Sequence, residues 1–137
     1  MANLKYNFSL YCEKLIPRLL TQVCRDSTSK LYGSFDRNWW HYKIRDFPSI
    51  ILQQGAYTLS CADNFFPNQT QKESVREIIS ASARFWNKQA QKHGAFEEYY
   101  PWEQGYPPLS FSTLAIVKLL ANKHLVSYKL KLRGNPE

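Results

Sequence analysis

A chain of 137 residues with 44% hydrophobic content has the length of one domain and enough apolar material for a core. Its net charge of +7 favours an acidic partner, but the basic residues are scattered with no block of five or six, which argues for a solvated surface and against a nucleic-acid patch. No segment approaches the roughly 20 apolar residues of a membrane span, and the N-terminal residues lack a secretory apolar stretch, so the expectation is a cytoplasmic protein with no membrane partner.

In chain order, residues 4–24 carry Leu4, Phe8, Tyr11, Leu15, Leu19 and Val23 at the three-to-four spacing of one helical face. Pro17 falls inside that pattern and predicts a kink or a restart. Residues 25–48 read as a long loop, uncommon in a compact domain and often functional. Residues 49–62 contain no charged side chain until Asp63 and follow Pro48, which suits a first helical turn; a helix of that composition is expected to be buried on most of its circumference. Residues 63–69 form a turn, and Thr70-Gln-Lys-Glu73 has the form of a capping box. The helix it opens, about 71–92, sets Val75, Ile78, Ile79, Phe85 and Trp86 against a face with Arg76, Lys88 and Lys92, the pattern of an outer amphipathic helix. Residues 93–108 are a second loop. An apolar helix follows over about 109–124, with Lys118 and Lys123 its only cations, and is expected to be an inner one. The tail 127–137 alternates Tyr128, Leu130 and Leu132 with lysines and reads as a frayed end or a short strand.

The two loops share a pattern. Gly33-Ser-Phe-Asp-Arg-Asn-Trp-Trp and Gly94-Ala-Phe-Glu-Glu-Tyr-Tyr-Pro align Gly33 with Gly94, Phe35 with Phe96, Asp36 with Glu97 and Trp39 with Tyr100. A self-similar unit of about 60 residues is two helices with their connections. The chain is therefore one all-α domain, 1–137, with about four principal helices in two antiparallel hairpins (about 4–62 and 71–124), forming a partial α/α toroid or a helical bundle. Two hairpins leave the flank of such an array uncovered, which predicts a homo-oligomer or a piece of a longer chain.

This pattern, carried by Gly33 to Pro48 and Gly94 to Pro101, resembles the six-hairpin toroid proteins that act on carbohydrates, above all the helical domain of heparinase II/III-type polysaccharide lyases. Two hairpins are present where a closed toroid has about six. The resemblance implies a cleft at one end of the helices where loops present aromatic and acidic side chains to a sugar chain. On that basis Asp36, His41 and Glu97 are the candidate catalytic residues, as acid, base or carboxylate pair. Arg37, Trp39, Trp40, Tyr42, Glu98, Tyr100 and Trp102 are the candidate substrate-binding residues, the rings stacking on sugar faces and the guanidinium gripping a uronate.

Each assignment has a structural counterpart. Asp36 and Glu97 could cap their loops or accept backbone N–H groups, His41 could be a hydrogen-bonded packing residue, and the rings could cover helix ends. No metal or cofactor is expected: Cys12, Cys24 and Cys61 lack paired spacing, and His93 and Glu97 straddle a glycine in a loop. The functional expectation is a carbohydrate-related helical protein binding an acidic oligo- or polysaccharide, without a complete active site; whether it is an enzyme, of the polysaccharide lyase or glycosidase kind, depends on further hairpins or subunits. The alternative is a protein–protein interaction or structural scaffold. Nucleic acid is the weaker partner class, since aromatic–basic interleaving is its sole support.

Overall fold

The computed structural model describes residues 2–36, 49–91, 93–97, 102 and 104–122, with side chains from Leu10 onward except that of Cys12. The fold is all-α. Helix α1 spans Ala2–Thr21, a 3₁₀ turn at Ile50–Gln53 runs into α2 (Gln54–Cys61), a second 3₁₀ turn covers Asp63–Phe65, and α3 (Gln69–Gln89) and α4 (Tyr106–Ala121) follow. Among the described residues the one β pairing is an isolated antiparallel bridge between Val23 and Phe35. No helix among them is long and apolar enough to cross a membrane.

Local chemistry explains where the helices start and stop, and corrects three details of the sequence reading. Pro17 does not interrupt α1, which runs through it to Thr21. The proline removes the N–H that would bond the carbonyl of Glu13, but both residues are exposed, so water can take that carbonyl. At the start of α3 the cap is Asn68, not Thr70: its side chain accepts the Gln71 N–H at 2.9 Å. Glu73 is engaged one turn back by Gln69, whose amide donates to it at 2.9 Å, in place of closing a box with Thr70. Helix α4 opens after Gly105 and takes Pro107 and Pro108 into its first turn, where their missing N–H groups have no intrahelical partner to lose.

The third correction concerns which helix is central. Residues 78–83 of α3 are buried without a break, so this stretch is enclosed on every side. Its sequence Ser80-Ala-Ser-Ala83 allows that, because small side chains let neighbouring backbone come close. Helix α2 and its leading 3₁₀ turn pack on α3 and α4, while α1 joins mainly through α2. The core cluster runs from Ile16 and Val23 through Leu59, Ile79 and Phe85 to Ile116 and Leu119, and it includes both Phe35 and Phe96. At the edge of α3, Arg76 holds Asp63 through two N–H donors at 3.0 and 3.1 Å, tying the second 3₁₀ turn to the helix.

The segment 22–36 is wedged between α2 and α3. Gly33 has φ +86° and sits so close to α3 that a Cβ there would fall 2.5 Å from the Ser82 nitrogen. Two positions on, the Phe35 ring lies on Gly55 of α2, where a Cβ would fall within 2.6 Å of a ring carbon. Glycine inside a helix costs about 1 kcal/mol against alanine. Burying a phenylalanine side chain, worth about 1.5–3 kcal/mol, exceeds that cost.

Candidate functional site

The first loop is closed by backbone hydrogen bonds. The Cys24 N–H donates to the Ser34 carbonyl at 2.8 Å, and the Gly33 N–H to the Cys24 carbonyl at 2.9 Å. The buried Gln53 side chain accepts the Phe35 N–H at 3.2 Å and donates to the Ser49 carbonyl at 3.3 Å, so one amide joins the loop to the 3₁₀ turn. From α3, Ser82 Oγ donates to the Gly33 carbonyl at 2.6 Å. Asp36 follows directly and is itself buried, at 4% exposure.

The second loop is built differently. The Gly94 N–H donates to Gln91 and the Gly105 N–H to Phe96, at 2.9 and 3.1 Å, which brings the end of α3 to the start of α4. Phe96 is fully buried and stacks at a tilt on Trp86, with ring centres 5.0 Å apart. Trp86 in turn donates its indole N–H to Ser112 Oγ of α4 at 2.8 Å, and Ser112 donates to the Pro108 carbonyl. A chain of side chains thus fixes this loop between α3 and α4. Glu97 accepts the Trp102 N–H at 2.7 Å. Trp102 has φ +69°, a left-handed conformation that costs a bulky residue about 1–3 kcal/mol, and its ring is 88% exposed.

Of the candidate catalytic residues, Asp36 and Glu97 are therefore placed. The first is enclosed beside Phe35, and the second accepts a backbone N–H from within its own loop. His41 lies outside the described residues. Of the candidate substrate-binding residues Trp102 is placed, and Arg37, Trp39, Trp40, Tyr42, Glu98 and Tyr100 lie outside the described residues. Among the described residues no cluster of His, Cys, Asp and Glu has metal-site geometry.

Sequence reasoning missed an exposed apolar face on α4. Helix α4 was expected to be internal, yet it buries one side only, through Pro108, Ser112, Ala115, Ile116 and Leu119. On the other side Tyr106, Phe111, Leu114 and Val117 are 54–77% exposed. At 100° per residue these four positions lie within an arc of about 140°. The one cation on that arc, Lys118, has its ammonium 5.7 Å from the centre of the Tyr57 ring of α2. Tyr57 also shares a hydrogen bond with the Cys61 thiol, which raises its phenol above the ordinary range. The signal was in the sequence: an apolar helix at the end of a small array has too few partners to cover it all round. Comparisons with protein-family models, curated proteins and solved structures give no match for this chain.

Proposed function

We propose that this chain is a helical interaction module, with the outer face of α4 as its docking surface. The observation that carries the reading is the half of α4 that is both apolar and exposed. A small domain seldom presents several large apolar side chains together unless they meet a partner. The two glycine-led loops fit a scaffold role. Gly33 and Gly94 both take positive φ, and Phe35 and Phe96 are both buried in the shared core, which supports reading them as two copies of one structural unit. In that reading the repeated residues hold hairpins together.

The test is Leu114→Glu. An interaction face predicts that the variant keeps its helical circular dichroism and unfolds within about 0.5 kcal/mol of the parent, as surface substitutions do. It also predicts that the variant binds much less of a hydrophobic dye such as ANS. Unfolding by several kcal/mol would make this face part of the core and end the proposal.

A second reading is favoured by Trp102. A bulky residue in a left-handed conformation with its ring in solvent is the presentation a stacking platform needs. On this reading the loop of Glu97 and Trp102 binds an acidic oligosaccharide, with the basic chain supplying attraction. Calorimetric titration with a uronate oligosaccharide tests it: Trp102→Ala should weaken binding by about 1–3 kcal/mol. Unchanged affinity removes this reading.

A further inference from the structure

The exposed face of α4 is neutral, apart from one lysine, and lies on a chain of net charge +7. An acidic protein or a nucleic acid would be drawn to such a chain, but it would need several cations at the contact to hold it. Lys118 is the sole one on this arc, and it leans over its own Tyr57. The face therefore asks for a partner surface that is itself apolar and nearly uncharged. The exposed parts of Tyr106, Phe111, Leu114 and Val117, with Pro107 and Ala121 beside them, form one apolar strip along the helix.

We propose that the occupant is a second copy of this chain, paired α4 against α4 in antiparallel fashion about a two-fold axis at Leu114. The proposal rests on the reading of this face as a docking surface and names what docks there. A two-fold contact must be self-complementary, and the positions on the arc satisfy that. With Leu114 meeting its own copy, Phe111 faces Val117 of the second copy and Lys118 faces its Ser110, so the two lysines do not oppose each other. Ser110 and Ala121 are small and leave the helices room to approach. Two chains of charge +7 repel at longer range, and salt screens that repulsion over a Debye length of about 10 Å at 0.1 M. Self-pairing therefore strengthens with salt, opposite to the binding of an acidic partner.

Sedimentation velocity of the full chain at about 5 and 200 μM, in about 50 and 500 mM NaCl, tests this. The expected result is a shift from monomer toward dimer with concentration, larger at high salt, and lost in Leu114→Glu and in Val117→Lys. In a background with Cys12→Ser and Cys61→Ser, Leu114→Cys should form a covalent dimer on mild oxidation, because a two-fold axis places the two sulfurs together. A parent that stays monomeric at both concentrations but binds ANS, with binding lost in Leu114→Glu, overturns the self-pairing while the docking-surface reading stands. A monomer that binds no dye until Tyr128, Leu130 and Leu132 are changed to Ser would give the face to the chain's own tail and likewise overturn it. Dimers that ignore both charged variants, or that form with no Leu114→Cys cross-link, overturn the proposed geometry. If both charged variants unfold, the proposal falls together with the reading beneath it.

Discussion

Gly33 and Gly94 are equivalent in the sequence pattern and both left-handed, at φ +86° and +76°, but they differ in what surrounds them. Substituting each by alanine separates backbone strain from packing. At Gly94 a Cβ meets nothing within 4 Å. The cost is the left-handed penalty of about 1–2 kcal/mol, offset by about 0.4–1 kcal/mol because alanine restricts the unfolded chain. Gly94→Ala should therefore lose about 0.5–1.5 kcal/mol. At Gly33 the same strain applies, and the Cβ would in addition fall 2.5 Å from the Ser82 nitrogen and 2.6 Å from the Ala81 carbonyl oxygen. Those are helix backbone atoms and cannot rotate away. Relief takes a shift of about 1 Å between loop and α3, which lengthens the buried Ser82–Gly33 hydrogen bond and lifts Phe35 from Gly55. Overpacking of this kind adds about 1–3 kcal/mol and a disturbed buried hydrogen bond about 1 more, for a total of about 3–5 kcal/mol. Urea unfolding followed at 222 nm measures both. With a domain stability of about 5–15 kcal/mol, Gly33→Ala leaves little margin or none. Equal losses at the two sites, within about 0.5 kcal/mol, would refute the close approach of loop and helix.

Three further outcomes are expected. Ser34 is fully buried and its hydroxyl has no hydrogen-bond partner among the described residues, so Ser34→Ala should leave stability unchanged or raise it by about 0.5–1 kcal/mol in urea titration; a loss above about 1 kcal/mol would refute that reading. Trp86→Phe and Ser112→Ala should each cost about 1–3 kcal/mol, and their double-mutant cycle should give about 1 kcal/mol of coupling through the indole N–H; additive losses would deny that bond. Asp26 is held below its ordinary value of 3.8, first by the Thr28 hydroxyl and then by the Thr28 N–H, so its contribution is full above that value and is lost as pH falls through the lower folded pKa. Asp26→Asn should flatten the stability profile below about pH 4, and an unchanged acid limb would remove this role.

The sequence by itself determined that the chain is all-α and where its helices lie. Periodicity, capping residues and prolines act over a few positions, so α3 and α4 begin and end within about three residues of where the pattern puts them, while the expected 49–62 helix starts as a 3₁₀ turn and becomes α2 only at Gln54. It also matched Gly33 with Gly94 and Phe35 with Phe96 as equivalent positions of the two loops. Only the tertiary structure decided which helix is inside. The apolar stripe of α3 looks like that of an outer helix, yet Ser80-Ala-Ser-Ala83 lets the 22–36 segment settle onto its far side and enclose it. Helix α4 is apolar nearly all round and reads as internal, yet it lies at the edge, because α2 and the 3₁₀ turn cover just one of its sides. For Asp36 and Glu97 the pattern gave a shared place in the two loops, and the structure adds burial in the one case and an accepted backbone N–H in the other. A hydrophobic period reports which face of a helix avoids water. Which apolar faces find a partner within the chain depends on side-chain size and on close approach between distant segments, and that is fixed only when the elements pack.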